Sequence, residues 1–294
     1  MNNIGIYYAY WSQDWDVDFL PYISKVAGLG FNQLEINAGT IVKISPRERA
    51  LLVEEANDKG ITLSYCIGLS QEYDVSSADT SIRKRGIAYL KQLTRAIGEM
   101  GGGSLSGIIY AAWPMELQED FLEKRPYFDR SIASLKEAIK EAEDHHVNFN
   151  VEVVNRFEQF LMNTCEEALE FVTRVESPNL KILLDTFHMN IEEESIYTAV
   201  TRAGDYLGHI HLGENNRTPP GCGRGHIQWD ELGKAIREIN YEGALVMEPF
   251  IKPGGQVGQA IKVFRDLNLG LEMDEEARKS CQFVRSFLES VGIN

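Results

Sequence analysis

Short apolar segments alternate with longer amphipathic segments along the whole chain. The apolar segments have the length of β-strands, and the segments between them repeat apolar residues with the period of an α-helix. This pattern predicts eight strands, over residues 4–10, 33–37, 62–68, 106–111, 149–154, 181–185, 208–212 and 244–249. It predicts helices over residues 19–27, 46–60, 81–100, 127–144, 164–175, 194–203, 229–239, 256–267 and 274–291.

The order of these elements predicts the fold. Strands that alternate with helices pair in parallel, through right-handed crossover connections. Eight such units form a closed (β/α)₈ barrel, an α/β fold of about 250 residues. We therefore predict that residues 1–294 form a single TIM-barrel domain with an extra C-terminal helix. Ser45 and Thr164 are predicted to cap the helices that follow them, and Gly28 and Gly60 to end the helices before them.

Charge and composition exclude several classes of partner. The chain carries 29 basic and 44 acidic residues, a net charge of −15. Such a surface repels phosphate backbones and anionic lipids, so we expect no nucleic acid and no membrane partner. No segment reaches the ~18 apolar residues of a membrane span, and the start shows no secretory signal. The four cysteines form no CxxC pair, which favours a reducing, cytoplasmic location.

Four consecutive predicted strands are interrupted near their C-terminal ends by an ionisable residue. These residues are Glu152, Asp185, His211 and Glu248, and each follows the one before by about one βα unit. Because the C-terminal ends of barrel strands meet at the face that carries catalytic residues, we expect the four side chains to converge. Burying three carboxylates together requires a compensating cation. One imidazole and three carboxylates suit a divalent ion such as Mn²⁺, Co²⁺ or Mg²⁺.

This arrangement supports two reactions. A bound ion could polarise a sugar carbonyl and its neighbouring hydroxyl as a Lewis acid. A carboxylate on each side of the substrate could remove a proton from one face and return it to the other, which is epimerisation. A single base would instead move the proton between adjacent carbons, which is aldose–ketose isomerisation. The residue pattern leaves this choice open.

Further polar and aromatic residues follow the same strands. Glu158, His188 and Arg217 lie in the loops after three of the four candidate ligands and could contact sugar hydroxyls. The strand ends also carry residues that could form a pocket wall, namely Tyr7, Cys66, Trp113 and Phe250. We interpret His209 as a hydrogen-bonded core histidine and not as a second ligand.

Four sequence motifs identify a family. They are EVVNRFE at residues 152–158, DTFHMN at 185–190, HLGENNR at 211–217 and VMEPF at 246–250. In this order they resemble the D-tagatose 3-epimerase family, which includes the D-psicose (D-allulose) 3-epimerases. The resemblance extends from Gly5 to the C-terminal helix. One segment, between Thr218 and His226, is longer than the family pattern, which leaves the geometry of that loop open.

The resemblance implies a function and a set of site residues. It implies interconversion of D-fructose and D-psicose, with D-tagatose and D-sorbose as further substrates, by C3 proton exchange between Glu152 and Glu248 through a cis-enediolate. The implied metal, Mn²⁺ or Co²⁺ rather than Mg²⁺, is held by Glu152, Asp185, His211 and Glu248. The implied substrate-binding residues are Glu158, His188 and Arg217 at the O1–O2 end and Tyr7, Cys66, Gly107, Trp113 and Phe250 along the pocket. The family also implies a homodimer or homotetramer.

The sequence is also compatible with three alternatives. A sugar or hydroxypyruvate isomerase would share the metal ligands but would not be expected to combine Glu158, His188 and Arg217. A phosphodiesterase of the endonuclease IV type would need several zinc ions and a basic surface, whereas this chain has six histidines and a net charge of −15. A non-catalytic sugar-binding barrel would tolerate the loss of both Glu152 and Glu248.

Overall fold

The computed structural model describes residues 2–115 and 123–293. Within them, eight parallel strands form a closed barrel in chain order, and the first strand pairs with the last. The strands are β1 Ile4–Tyr7, β2 Gln33–Asn37, β3 Thr62–Cys66, β4 Gly103–Gly107, β5 Val147–Val153, β6 Leu180–Asp185, β7 Leu207–Leu212 and β8 Ala244–Met247. The predicted (β/α)₈ barrel is confirmed.

Helices surround the barrel. In the described part of the chain they are α1 Leu20–Leu29, α2 Ala38–Ile41, α3 Pro46–Lys59, α4 Thr80–Glu99, α5 Arg125–Asp144, α6 Cys165–Val175, α7 Thr186–Glu192, α8 Ile196–Ala203, α9 Trp229–Glu238, α10 Gly255–Ala260 and α11 Met273–Ser290. The predicted extra helix is α11, which packs against α1, α9 and β1. None of the helices described has the length and apolar character that crossing a bilayer requires.

Local sequence signals set several helix ends. Ser45 and Glu48 form a capping box at the start of α3, and Gly60 ends that helix with a φ of 66°. The Thr164 side chain accepts a hydrogen bond from the Glu167 backbone N–H at the start of α6. These predicted caps are confirmed. The predicted end of the first helix is wrong, because Gly28 lies within α1 and Gly30 is its C-cap, with a φ of 97°.

The first and fourth strands end earlier than predicted. A 3₁₀ turn, Tyr8–Tyr10, follows β1. The fourth strand lies over Gly103–Gly107 instead of residues 106–111. The apolar run continues to Ala112 because these residues are buried against the core, not because they extend the strand. Hydrophobicity alone therefore placed β4 too late, and Trp113 lies in the loop beyond it.

Two predictions near the C-terminal ends of β6 and β8 also need correction. The short helix α7 follows β6 directly and was not predicted. The side chain of Asp185, the last residue of β6, caps this helix by accepting a hydrogen bond from the Phe187 backbone N–H. Helix α10 ends at Ala260 instead of residue 267. The residue after next, Lys262, has a φ of 62°, a left-handed conformation that interrupts a helix.

Candidate metal centre and active site

Four acidic and imidazole side chains meet at the C-terminal ends of β5 to β8. Glu152 lies within β5, Asp185 ends β6, His211 lies within β7 and Glu248 follows β8. Each offers one ligand atom, and these four atoms all lie within 4.8 Å of one another. All four residues are buried. The structure thus brings together the four residues that the sequence singled out as ligands.

Burial makes this cluster electrostatically unfavourable without a cation. Removal from water raises the pKa of Asp185 to about 6. Burial, with the nearby charge of Glu152, raises that of Glu248 to about 7. Arg217 compensates part of the charge, because its Nη1 lies 3.0 Å from Asp185 Oδ2 and 2.7 Å from Glu248 Oε2. One guanidinium does not balance three carboxylates.

The orientation of His211 fits a cation at this position. Its Nε2 lies 2.7 Å from a carboxylate oxygen of Glu35. Its Nδ1 is buried and has no hydrogen-bond partner among the described residues. That nitrogen lies 3.6 Å from both Glu152 Oε1 and Glu248 Oε2, so its lone pair can share an ion with the carboxylates. The donor set of one nitrogen and three carboxylates suits a divalent ion.

Arg217, His188 and Glu158 form a second group beside the carboxylates. Arg217 Nη2 lies 3.0 Å from His188 Nε2 and 3.6 Å from Glu158 Oε1. The Asn155 backbone N–H lies 3.1 Å from His188 Nδ1, and Arg217 Nη2 lies 3.0 Å from Nε2, so a donor faces each nitrogen of the ring. Burial lowers the pKa of His188, so this ring is neutral. The group offers donors and an acceptor at the rim of the candidate metal centre.

Aromatic rings hold the Arg217 guanidinium. Its central carbon lies 4.2 Å from the ring centroid of Phe187 and 5.2 Å from that of Phe250. The backbone φ of Arg217 is 63°, which is uncommon for a residue with a side chain. Phe187 was not predicted as part of the site. Its position after Asp185, at the start of α7, depends on a helix that the pattern did not reveal.

A cavity of about 670 Å³ opens above these groups. Its wall includes the predicted residues Tyr7, Cys66, Trp113, Glu152, Glu158, His188, Arg217, Glu248 and Phe250. It also includes Trp15, Ile67 and Ile108, which were not predicted. Among the described residues, Gly107 is not part of this wall and lies next to two residues that are, Cys66 and Ile67. A Cβ at Gly107 would lie 2.4 Å from the Ile67 carbonyl oxygen and 3.0 Å from Cys66 Sγ.

One buried acid near the site was not predicted. Glu35, in β2, is fully buried, and its two oxygens lie 2.7 Å from His211 Nε2 and 3.2 Å from His209 Nε2. His209 is buried and faces this carboxylate inside the barrel, but its Nε2 makes no hydrogen bond among the described residues. An acid in the middle of the apolar segment 33–37 was the signal that could have identified Glu35.

The Pro/Gly segment after β7 is held by Glu214. Oε1 of this buried side chain accepts from the Gly221 backbone N–H at 3.0 Å and from Trp229 Nε1 at 3.2 Å. Asn216 Oδ1 in turn accepts from the hydroxyl of Thr218. These contacts fix the segment beside Arg217.

Comparison with known proteins places this site in a family. The family model of the xylose isomerase-like TIM barrel matches residues 23–267. The chain is 44% identical over 288 residues to a D-psicose 3-epimerase of Ruminiclostridium cellulolyticum, covering 97% of each protein. It is 41% identical over 287 residues to a D-psicose 3-epimerase of Agrobacterium fabrum, covering 97% of this chain and 98% of the relative. The chain belongs to the D-tagatose/D-psicose 3-epimerase family.

Solved structures agree with this assignment. The crystal structure of D-psicose 3-epimerase with D-tagatose from Clostridium cellulolyticum H10 has a TM-score of 0.94 and 44% sequence identity, covering 97% of this chain and 99% of that one. The family resemblance drawn from the four motifs is thereby confirmed. The enzyme class is confirmed with it, because members of the D-tagatose/D-psicose 3-epimerase family are carbohydrate isomerases.

Proposed function

We propose that the chain is a divalent-metal-dependent ketose 3-epimerase that interconverts D-fructose and D-psicose by proton exchange at C3. The observation that carries the proposal is the buried cluster of Glu152, Asp185, His211 and Glu248 at the base of a sugar-sized cavity. D-Tagatose and D-sorbose are proposed as further substrates. The relatives support a ketose, since they are named D-psicose, L-ribulose and ketose 3-epimerases.

The four clustered residues would hold one ion, for which we propose Mn²⁺ or Co²⁺. When bound, such an ion supplies Lewis-acid polarisation of a carbonyl and its neighbouring hydroxyl. The proposal is supported by the unpartnered Nδ1 of His211 and by the three carboxylates around it.

Two carboxylates would move the proton. Glu152 comes from β5 and Glu248 follows β8, with β6 and β7 between them, so they approach the cavity from different sides. One carboxylate takes the proton from C3. As this C–H bond breaks, the electron pair of the bond passes towards the C2 carbonyl. The other delivers a proton to the opposite face of C3 as the new C–H bond forms. The ketose emerges with inverted configuration at C3.

The neighbouring polar group would fix the O1–O2 end of the sugar. Arg217 would donate hydrogen bonds to the sugar, Glu158 would accept hydrogen bonds from it, and His188 would contact the same end of the sugar. Trp113 Nε1 donates to Glu158 Oε2 at 3.1 Å, which orients that carboxylate. Tyr7, Cys66 and Phe250 would exclude water and contact the apolar face of the sugar ring.

Proton exchange at C3 tests the proposed function. The protein is incubated with Mn²⁺ and D-fructose or D-psicose in D₂O, with and without EDTA, and C3 is followed by NMR. We expect deuterium at C3, interconversion of the two sugars and loss of both with EDTA. Exchange at C1 with aldose formation would indicate the isomerase alternative. No exchange with any ketohexose tested would refute the proposal.

Variants of the two proposed bases test whether turnover depends on these two carboxylates in particular. Glu152→Gln and Glu248→Gln should each lower turnover by at least about 100-fold. Glu193→Gln is the matched control, because Glu193 is a partly buried carboxylate that binds the Cys165 backbone N–H outside the cavity. Full turnover in both base variants would refute the role of Glu152 and Glu248 as the two bases, whereas no turnover by the unaltered protein would favour a non-catalytic sugar-binding barrel.

The organisation of the protein also remains a proposal. We infer that residues 1–294 act as one domain, that the protein is cytoplasmic and that it forms a homodimer or homotetramer. Exposed apolar side chains between α10 and α11, namely Phe264, Leu269 and Leu271, support an assembly. Size-exclusion chromatography with light scattering measures its size, and a monomer would contradict it.

A further inference from the structure

A buried carboxylate stands on the far side of His211 from the four-residue cluster. Glu35 in β2 is fully buried, and its Oε1 lies 2.7 Å from His211 Nε2. Strand β2 pairs with β1 and β3, whereas β7 pairs with β6 and β8. The contact therefore crosses the interior of the barrel and does not arise from neighbouring strands. The reaction proposed above does not use Glu35.

Other buried groups hold Glu35 in place. Ser64, its partner in the β2–β3 register, donates from Oγ to Glu35 Oε2 at 2.9 Å. Gln33 donates in turn to Ser64 Oγ at 2.8 Å. His209 Nε2 lies 3.2 Å from the same Glu35 oxygen. Glu35 is therefore a buried carboxylate with a fixed orientation.

A neutral imidazole carries a proton on one ring nitrogen and a lone pair on the other, and only the nitrogen with the lone pair can bind a cation. The nitrogen that carries the proton is set by the hydrogen bond at that position. A carboxylate that accepts the Nε2 proton leaves the lone pair on Nδ1. In this protein Nδ1 is the nitrogen that faces Glu152 and Glu248.

We propose that Glu35 is the positioning residue of the metal centre, which accepts the Nε2 proton of His211 and directs the Nδ1 lone pair at the cation. This inference rests on the proposed metal site. A carboxylate behind a metal-binding histidine also increases the basicity of the imidazole. Glu35 itself would touch neither the ion nor the sugar.

A second ion is the competing explanation. Ligand atoms of Glu35, Cys66 and His211 also lie within 4.8 Å of one another. An ion there would require His211 to bind one cation through each nitrogen. The 2.7 Å separation of Glu35 and His211 is a hydrogen-bond distance, which favours a proton between them. We therefore expect one ion per chain.

Metal affinity provides the first test. The metal-free protein is titrated with Mn²⁺ against a competing fluorescent chelator, and the bound ions per chain are counted. We expect one ion in the unaltered protein and 10- to 100-fold weaker binding in Glu35→Gln, because an amide can present either a donor or an acceptor to Nε2. Ser64→Ala keeps the carboxylate but loses its support and should weaken binding less. Glu193→Gln should leave the affinity unchanged.

The protonation of His211 provides a test that a purely structural role would not affect. The unaltered protein, labelled with ¹⁵N-histidine, is loaded with diamagnetic Zn²⁺, and one-bond ¹⁵N–¹H correlations are recorded. The expected spectrum shows a proton on His211 Nε2 and none on Nδ1. A proton on Nδ1 would overturn the proposal without any variant, even where Glu35→Gln fails to fold.

The outcomes separate the two proposals. If the unaltered protein binds no divalent ion, the metal site and the positioning role both fall. If the unaltered protein binds one ion and the Mn²⁺ affinity of Glu35→Gln is within twofold of its affinity, only the positioning role is refuted. Two ions per chain would also overturn the role of Glu35, because they would assign Glu35, Cys66 and His211 as a second site.

Discussion

At the scale of single residues, a buried guanidinium lies beside three buried carboxylates. Arg217 reaches Asp185 and Glu248 with the same nitrogen and lies between the rings of Phe187 and Phe250. A planar guanidinium can stack on rings and direct several N–H groups in one plane, which an ammonium cannot do. The position therefore selects arginine for its shape as well as its charge.

Replacing this guanidinium should impair substrate turnover. In Arg217→Lys the charge remains, but the stacking and the second donor directed at the sugar are lost. We expect kcat/KM to fall about 10- to 100-fold, equivalent to about 1.4 to 2.7 kcal/mol. The matched control is Arg156→Lys, because Arg156 is an exposed arginine paired with Glu192 and is not part of the cavity wall. Steady-state kinetics of both variants provide the comparison, and equal values for the two would contradict the assigned role.

The raised pKa values of the cluster predict how metal binding depends on pH. Glu248, with a pKa of about 7, and Asp185, with a pKa of about 6, hold protons in the metal-free protein below those values. These protons must leave before the cation binds, so affinity falls as the pH falls. Between pH 8 and pH 5.5 the Mn²⁺ affinity should fall about 100-fold.

The same titration in Glu248→Gln serves as the control. This variant should bind more weakly but with a shallower dependence on pH, because one of the two titrating groups is absent. Fluorescence competition at a series of pH values measures both curves. An affinity that does not change with pH would show that the carboxylates are already ionised without the ion.

The predictability of the site also differs residue by residue. Glu152, Asp185, His211 and Glu248 could be identified because each interrupts an apolar strand near its C-terminal end. Glu35 has the same signal but lies in the middle of β2, so the rule about strand ends did not select it. Its contact with His211 crosses the interior of the closed barrel, so no local sequence pattern predicts it.

At the scale of elements, the end of β4 shows what hydrophobicity does not determine. Buried apolar residues continue from Ile108 to Ala112, yet the strand stops at Gly107, which has a φ of 108°. Glycine adopts this conformation without the clash that a Cβ would cause. The turn places the backbone against Ile67 and Cys66, two residues of the cavity wall.

Adding a methyl group at this turn should destabilise the barrel. In Gly107→Ala the new Cβ meets the Ile67 carbonyl oxygen at 2.4 Å and the backbone is strained. Gly60→Ala isolates the strain, because Gly60 also has a positive φ but no atom within 4 Å of its Cβ. We expect about 1 kcal/mol of lost stability for Gly60→Ala and at least about 2 kcal/mol more for Gly107→Ala. Urea unfolding measures both, and equal losses would contradict the packing argument.

Helix limits were predictable where residues within or next to the helix set them. Helix α3 has its capping box and its terminal glycine in the sequence, so its limits were evident. Helix α7 depends on Asp185, whose Oδ1 caps the helix while its Oδ2 faces Arg217. The two contacts of Asp185 depend on its position in the folded barrel. In addition, α7 has only seven residues, which is too short for sequence periodicity to predict it.

At the scale of the whole molecule, the fold was predictable because eight strands and their helices recur along the chain. The closure of the barrel followed from the number of units, and the pairing of β1 with β8 confirms it. The shape of the cavity was not predictable to the same extent. Trp15, Ile67 and Ile108 reach its wall through loops and turns whose course depends on packing.

Metal binding should stabilise the whole barrel, since the four proposed ligands come from four strands. An ion present at 100 times its Kd adds about 2.7 kcal/mol, or roughly 5 °C in Tm for a domain of this size. Differential scanning calorimetry with Mn²⁺ and with EDTA measures the shift. Asp185→Asn is the control, because it keeps the shape of a proposed ligand and should show a much smaller shift. An equal Tm with and without the ion would contradict a metal site built across these strands.

The spread of the four proposed ligands along the chain has a consequence for synthesis. A ribosome produces Glu35 and the first four strands long before Glu248, which comes after the strand that closes the barrel against β1. A growing chain therefore contains an incomplete set of ligands until nearly all of the protein has been made. The cation can join only a barrel that is almost finished. Any structure that the first half forms during synthesis therefore forms without the ion.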